Sequence, residues 1–127
     1  MTTDPGLRKF LKGLQVGEEI EARWNGQVRF VRGSRSLAIS KPQELWMHGQ
    51  VATTMSFAEL MSTRSRLQTR LSEDNVKGWR CTGVIGAAAL SAGEQRMLSE
   101  DPAGSTSSVN LLAEVKGVTG LRFVRTR

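Results

Sequence analysis

Cys81 and His48 are the only cysteine and the only histidine in the chain, and together they could form a nucleophile–base pair. In such a pair the imidazole takes the thiol proton and leaves a reactive thiolate. The surrounding residues point elsewhere. Cys81 lies in "GWRCTGVIG" (78–86), where Trp79 and Cys81 alternate with Arg80 and Thr82, so it reads as a small apolar strand residue. His48 reads as a surface or hairpin residue. One cysteine rules out an intramolecular disulfide, and one cysteine with one histidine makes a poor zinc site. Acid–base catalysis would need carboxylates in apolar surroundings, but the acids here fall in turns, helix caps and solvent-facing strand positions. The expectation is a non-enzymatic protein with no catalytic residues, no metal and no cofactor.

Arginine is the residue type in excess. The chain carries 13 Arg against 5 Lys, a net charge of +6 and a sequence pI near 10.4. A basic excess suits polyanions, and the guanidinium fork grips two phosphate oxygens at once. A GC-rich coding sequence would raise Arg over Lys without any such role. The string Arg-Phe-Val-Arg occurs twice, in "VRFVRG" (28–33) and "LRFVRT" (121–126). In a strand, each copy buries Phe30 or Phe123 and turns Arg29 or Arg122 outward, while Arg32 or Arg125 reaches water at the strand end. The flanks "WNGQ" and "GVTG" share only turn character, so the match reads as two ordinary amphipathic strands and not as a duplication.

The elements that must position these arginines can be read in order. Asp4 and Pro5 open a short helix whose Leu7, Phe10, Leu11 and Leu14 share one face, with Arg8, Lys9 and Lys12 off it. "EEIEARWNGQVRFVRG" reads as a hairpin. A two-residue Asn-Gly turn would set apolar faces against polar ones. A three-residue loop, Trp24-Asn25-Gly26, instead places Ala22 opposite Val28 and Ile20 opposite Phe30, with Gly26 left-handed. Trp24 is then at an exposed tip. "SRSLAIS" (34–40) and "ELWMHGQV" (44–51) read as further strands. Ser56 and Glu59 make a capping box that opens the main helix, about 56–71, with Phe57, Leu60, Met61, Leu67 and Leu71 buried and Arg64, Arg66 and Arg70 mostly elsewhere. A loop follows at 72–78. A second capping box opens a short helix at 91–98, and 99–108 has the composition of a flexible loop. Residues 109–126 read as two strands broken around Gly117–Gly120, the first with Val109, Leu111, Ala113 and Val115 on one face.

The predicted fold is a single α+β domain spanning 1–127: a mostly antiparallel sheet with the 56–71 helix packed across it. No apolar run approaches the roughly 20 residues of a membrane span. The N-terminus lacks a signal peptide's continuous apolar segment. The expected setting is therefore the cytoplasm, or the inside of a virus or phage particle. Two roles fit. The first is binding of a nucleic-acid backbone, RNA or DNA, through Arg29, Arg80 and Arg122 on the sheet or Arg64, Arg66 and Arg70 on the helix, with Trp24 or Trp46 available for base stacking. These six arginines cannot all share one face, so one set acts. The second is an assembly subunit of a particle or other homo-oligomer.

Overall fold

A computed structural model of the chain describes residues 5–46, 51–72, 78–86, 89–99 and 109–127. The expectations for Asp4, His48, residues 73–77 and most of the 99–108 loop lie outside the described residues. The elements are α1 (Pro5–Leu11), β1 (Glu19–Arg23), β2 (Arg29–Arg32), β3 (Arg35–Ala38), β4 (Met55–Ser56), α2 (Phe57–Ser72), β5 (Trp79–Gly86), α3 (Ala92–Leu98), β6 (Glu114–Val115) and β7 (Val118–Arg125). Five of these strands form one antiparallel sheet in the order β3-β2-β1-β7-β5, and β4 pairs with β6 separately. With α2 packed against the larger sheet, the expected single α+β domain is the one observed.

Period-two alternation decides which side of the sheet is core. Ile20 and Ala22 of β1 face inward with Phe30 of β2, Leu121 and Phe123 of β7, and Cys81 of β5, all at most 1% exposed. The stripe on α2 covers this layer: Phe57, Leu60, Leu67 and Leu71 are fully buried, whereas Met61 is only half-buried. The α2 capping box forms as read. Ser56 Oγ accepts from the Glu59 amide at 3.1 Å, and the Glu59 carboxylate accepts from the Ser56 amide at 3.2 Å. The next two amides, of Phe57 and Ala58, donate to the carbonyls of Ala113 and Leu111, so the 110–113 turn completes the helix start. The second box, Ser91 with Glu94, caps α3 in the same way.

The hairpin keeps the expected faces but not the expected register. Ala22 pairs with Phe30 and Arg23 with Arg29, two residues away from the predicted pairing. The loop is therefore centred on Gly26, which takes the expected left-handed φ of 90°. The physical reason is Trp24. Because a two-residue shift preserves faces, it extends the inward row of Ile20 and Ala22 by one large apolar side chain. Trp24 is 1% exposed, and its indole N–H donates to the Val118 carbonyl at 3.1 Å. Trp24 is thus not an exposed tip.

Three other expectations change. Residues Pro42–Leu45 form a 3-10 turn instead of the start of a strand, since Lys41 turns left-handed (φ 52°) and Pro42 suits a helical first turn. The strand read at 109–115 shrinks to β6, with Leu111 45% exposed. The break before β7 falls at Gly117, and β7 runs through Gly120 without interruption. Gly120 is required there because a Cβ would lie 2.4 Å from the Ala22 carbonyl oxygen of the neighbouring strand.

The two edges of the sheet differ. At β5 the amide side chains of Gln68 on α2 and Gln95 on α3 donate to the carbonyls of Trp79 (3.0 Å) and Thr82 (3.1 Å). At β3, Arg35, Ser36 and Ala38 are exposed, and only β2 pairs with its backbone among the described residues.

Candidate nucleic-acid interface

The face of the sheet opposite the core is built by the other half of the alternation. Glu19, Glu21 and Arg23 of β1 stand beside Arg29 and Val31 of β2, Arg122 and Val124 of β7, and Arg80 of β5. Register sets their order. Arg29 is directly opposite Arg23, Arg122 directly opposite Glu21, and Arg80 opposite Val124. The face thus brings together the three arginines expected on strands, plus Arg23, which the sequence reading did not single out. Its signal was the alternation itself: Arg23 is the third outward residue after Glu19 and Glu21.

These guanidiniums are held differently. Arg29 donates to Ser36 Oγ at 2.9 Å and to Gln27 Oε1 at 2.6 Å, both neutral oxygens, and no carboxylate pairs with it among the described residues. It is fixed in place with its charge uncompensated. Arg23 and Arg122 share one carboxylate: Glu21 lies 2.7 Å from Arg23 and 3.5 Å from Arg122. Arg122 also donates to the Val84 carbonyl at 3.2 Å. Arg80 is exposed. Like charges directly opposite across a strand pair are unfavourable, and Arg23 beside Arg29 is such a pair.

The helix set is committed elsewhere. Arg64 is 7% exposed on the buried stripe and donates to the Leu98 carbonyl at 3.0 Å, tying α2 to α3. The expectation that Arg64 lies off the stripe is therefore corrected. It stands seven residues after Phe57 and three before Leu67, the spacing of the core face, and its aliphatic stem fills that position while its head reaches a carbonyl. Arg70 donates to the Ser40 carbonyl at 2.7 Å and stands 3.7 Å from Glu44. Arg66, although exposed, donates to the Glu44 carbonyl at 3.2 Å. Arg66 and Arg70 thus hold the segment around the 3-10 turn.

The second arginine of each repeated string is corrected as well. Arg32 and Arg125 fall on the same side as Phe30 and Phe123, the core side, and turn toward the end of α1 instead of water. Arg32 donates to the carbonyls of Phe10 and Lys12. Arg125 donates to that of Leu14. Trp46, the other residue offered for stacking, is 6% exposed and packs edge-on against Trp24 with ring centres 5.7 Å apart. Cys81 is fully buried, and no group of three or more metal-ligating side chains occurs among the described residues. No helix of the described residues is long and apolar enough to cross a membrane. No family model, curated protein or solved structure matches this chain at a significant level.

Proposed function

We propose that the protein binds a nucleic-acid backbone, without catalysis, through the outward face of the sheet, with Arg29, Arg80 and Arg122 as contacts and Arg23 beside them. The observation that carries this reading is Arg29, a guanidinium oriented by Ser36 and Gln27 next to Arg23, with no carboxylate paired to it among the described residues. An arriving phosphate relieves the repulsion between the two and accepts from a donor already in position. The helix arginines are set apart from this face: Arg64 is buried between α2 and α3, and Arg66 and Arg70 hold the backbone around the 3-10 turn.

Titration of labelled RNA and DNA at two salt concentrations tests the reading. Affinity falls steeply with salt, with a log–log slope of about −0.7 to −0.9 per phosphate contacted. Replacing Arg29, Arg80 and Arg122 by Ala flattens the slope, and Arg66→Ala leaves it nearly unchanged. Absence of binding at low salt would overturn the proposal.

A second reading, an assembly subunit of a particle or homo-oligomer, is favoured by the exposed β3, whose backbone only β2 pairs among the described residues. A concentration-dependent dimer or larger species in sedimentation, with no affinity for nucleic acid, would decide for it.

A further inference from the structure

The chain has three Trp, four Phe and no Tyr, and every one of these seven rings is in the core. The most exposed of them, Trp79, is 7% exposed. On the outward sheet face the large apolar side chains are Val31, Val124 and Ile85, each half-buried and none aromatic. Surfaces that bind single strands combine a basic groove with aromatic platforms on which successive bases stack. Here the charge is present and the platforms are not.

We propose that the sheet face takes duplex nucleic acid through its phosphates, and that a single strand of the same length binds more weakly; this rests on the sheet-face reading above. Two physical reasons support the preference. A B-form duplex presents one charge per about 1.7 Å of axis, against one per about 3.4 Å along a single strand, so a surface acting through charge alone gains more from the duplex. The receptor is also rigid. Arg29 is held by Ser36 and Gln27, and Arg122 by Glu21 and the Val84 carbonyl, all on neighbouring strands or the hairpin loop. Guanidiniums at fixed positions match phosphates at fixed positions, whereas a single strand must first lose conformational freedom to meet them. With no base stacked and the arginine donors partly occupied, sequence contributes little.

The test uses the full chain and labelled oligonucleotides of one length: a mixed-sequence DNA duplex, a duplex of different base composition, and each separated strand, in low and moderate salt. The expected result is that both duplexes bind alike, about tenfold or more tighter than either strand, with a salt slope near −0.9 per phosphate. Tryptophan emission, which reports all three buried indoles, stays unchanged on binding. Single strands binding as tightly as duplex, or quenching of the tryptophans, overturns the inference while leaving nucleic-acid binding intact. Binding of neither form at low salt overturns the sheet-face reading itself. The variants Arg29→Ala and Arg80→Ala, each changing a residue on the outward face, should weaken duplex binding with an unaltered far-UV spectrum; unchanged duplex affinity in both would place the contacts elsewhere.

Discussion

Arg32 and Arg125 hold the same few residues of backbone from strands on opposite sides of β1. Arg32 donates to the carbonyls of Phe10 and Lys12 at 3.0 Å each, and Arg125 donates to the carbonyl of Leu14. A helix ends with carbonyls that have no partner within it, and α1 is too short to be stable alone. Arg32 supplies one at Phe10 in the last turn of α1, and the two arginines together pin the residues just after it, Lys12 and Leu14. The repeated string therefore has a shared structural use: its Phe enters the core and its final Arg ties the sheet to α1.

Arg32→Ala and Arg125→Ala should each lower stability by about 1–3 kcal/mol, the range for leaving such carbonyls without their charged donor. Glu18 lies 3.8 Å from Arg32 at an exposed position, and Glu18→Gln should cost well under 1 kcal/mol, as surface ion pairs do. Urea unfolding compares them. Equal losses for Arg32→Ala and Glu18→Gln would mean that the ion pair, not the carbonyl bonds, anchors α1.

Leu60 is fully buried on α2, and Leu60→Ala should destabilise by about 2–5 kcal/mol through lost transfer energy and the cavity left behind. A midpoint shift equivalent to less than about 0.5 kcal/mol, typical of a surface site, would show that α2 does not seal the core.

Two glycines in adjacent strands should respond in opposite ways. At Gly120 a methyl meets the Ala22 carbonyl oxygen at 2.4 Å, whereas at Gly83 nothing lies within 4 Å. Gly120→Ala should cost about 1–3 kcal/mol or more by forcing β1 and β7 apart. Gly83→Ala should be neutral or slightly stabilising, because it restricts the unfolded chain. Thermal unfolding of both proteins distinguishes them; similar melting temperatures would refute the register of β7 against β1.

Trp24→Phe should destabilise by about 1–3 kcal/mol, since it takes the indole donor away from the buried Val118 carbonyl. The same change should leave affinity for nucleic acid unaltered. Loss of binding without loss of stability would return Trp24 to the surface.

Much of this architecture is legible in local pattern. The capping boxes at Ser56 and Ser91, the α1 face and the inward rows of β1, β2 and β7 all follow from short-range periodicity and form as expected. The errors share another origin. The hairpin register depends on what Trp24 gains by reaching Val118, 94 residues away, which no hairpin-level rule contains. Arg64 was placed on a solvated face because its charge outweighed its spacing, yet a carbonyl 34 residues on lets the spacing prevail. For the candidate site, alternation correctly turned Arg29, Arg80 and Arg122 outward. What it could not supply was the company each one keeps, Glu21 for Arg122 and neutral oxygens for Arg29.

The glutamines along β5 bear on how copies of this protein can meet. An uncovered strand edge is a template onto which another chain can hydrogen-bond, and indefinite stacking needs a template at both ends of the sheet. Gln68 and Gln95 occupy two acceptors at one end, and among the described residues only β2 pairs with the backbone of β3 at the other. Pairing β3 with a second β3 uses up both open ends at once. Strand addition is therefore hindered at β5 and less so at β3, a difference that favours a closed twofold pair over a stack repeating from both edges.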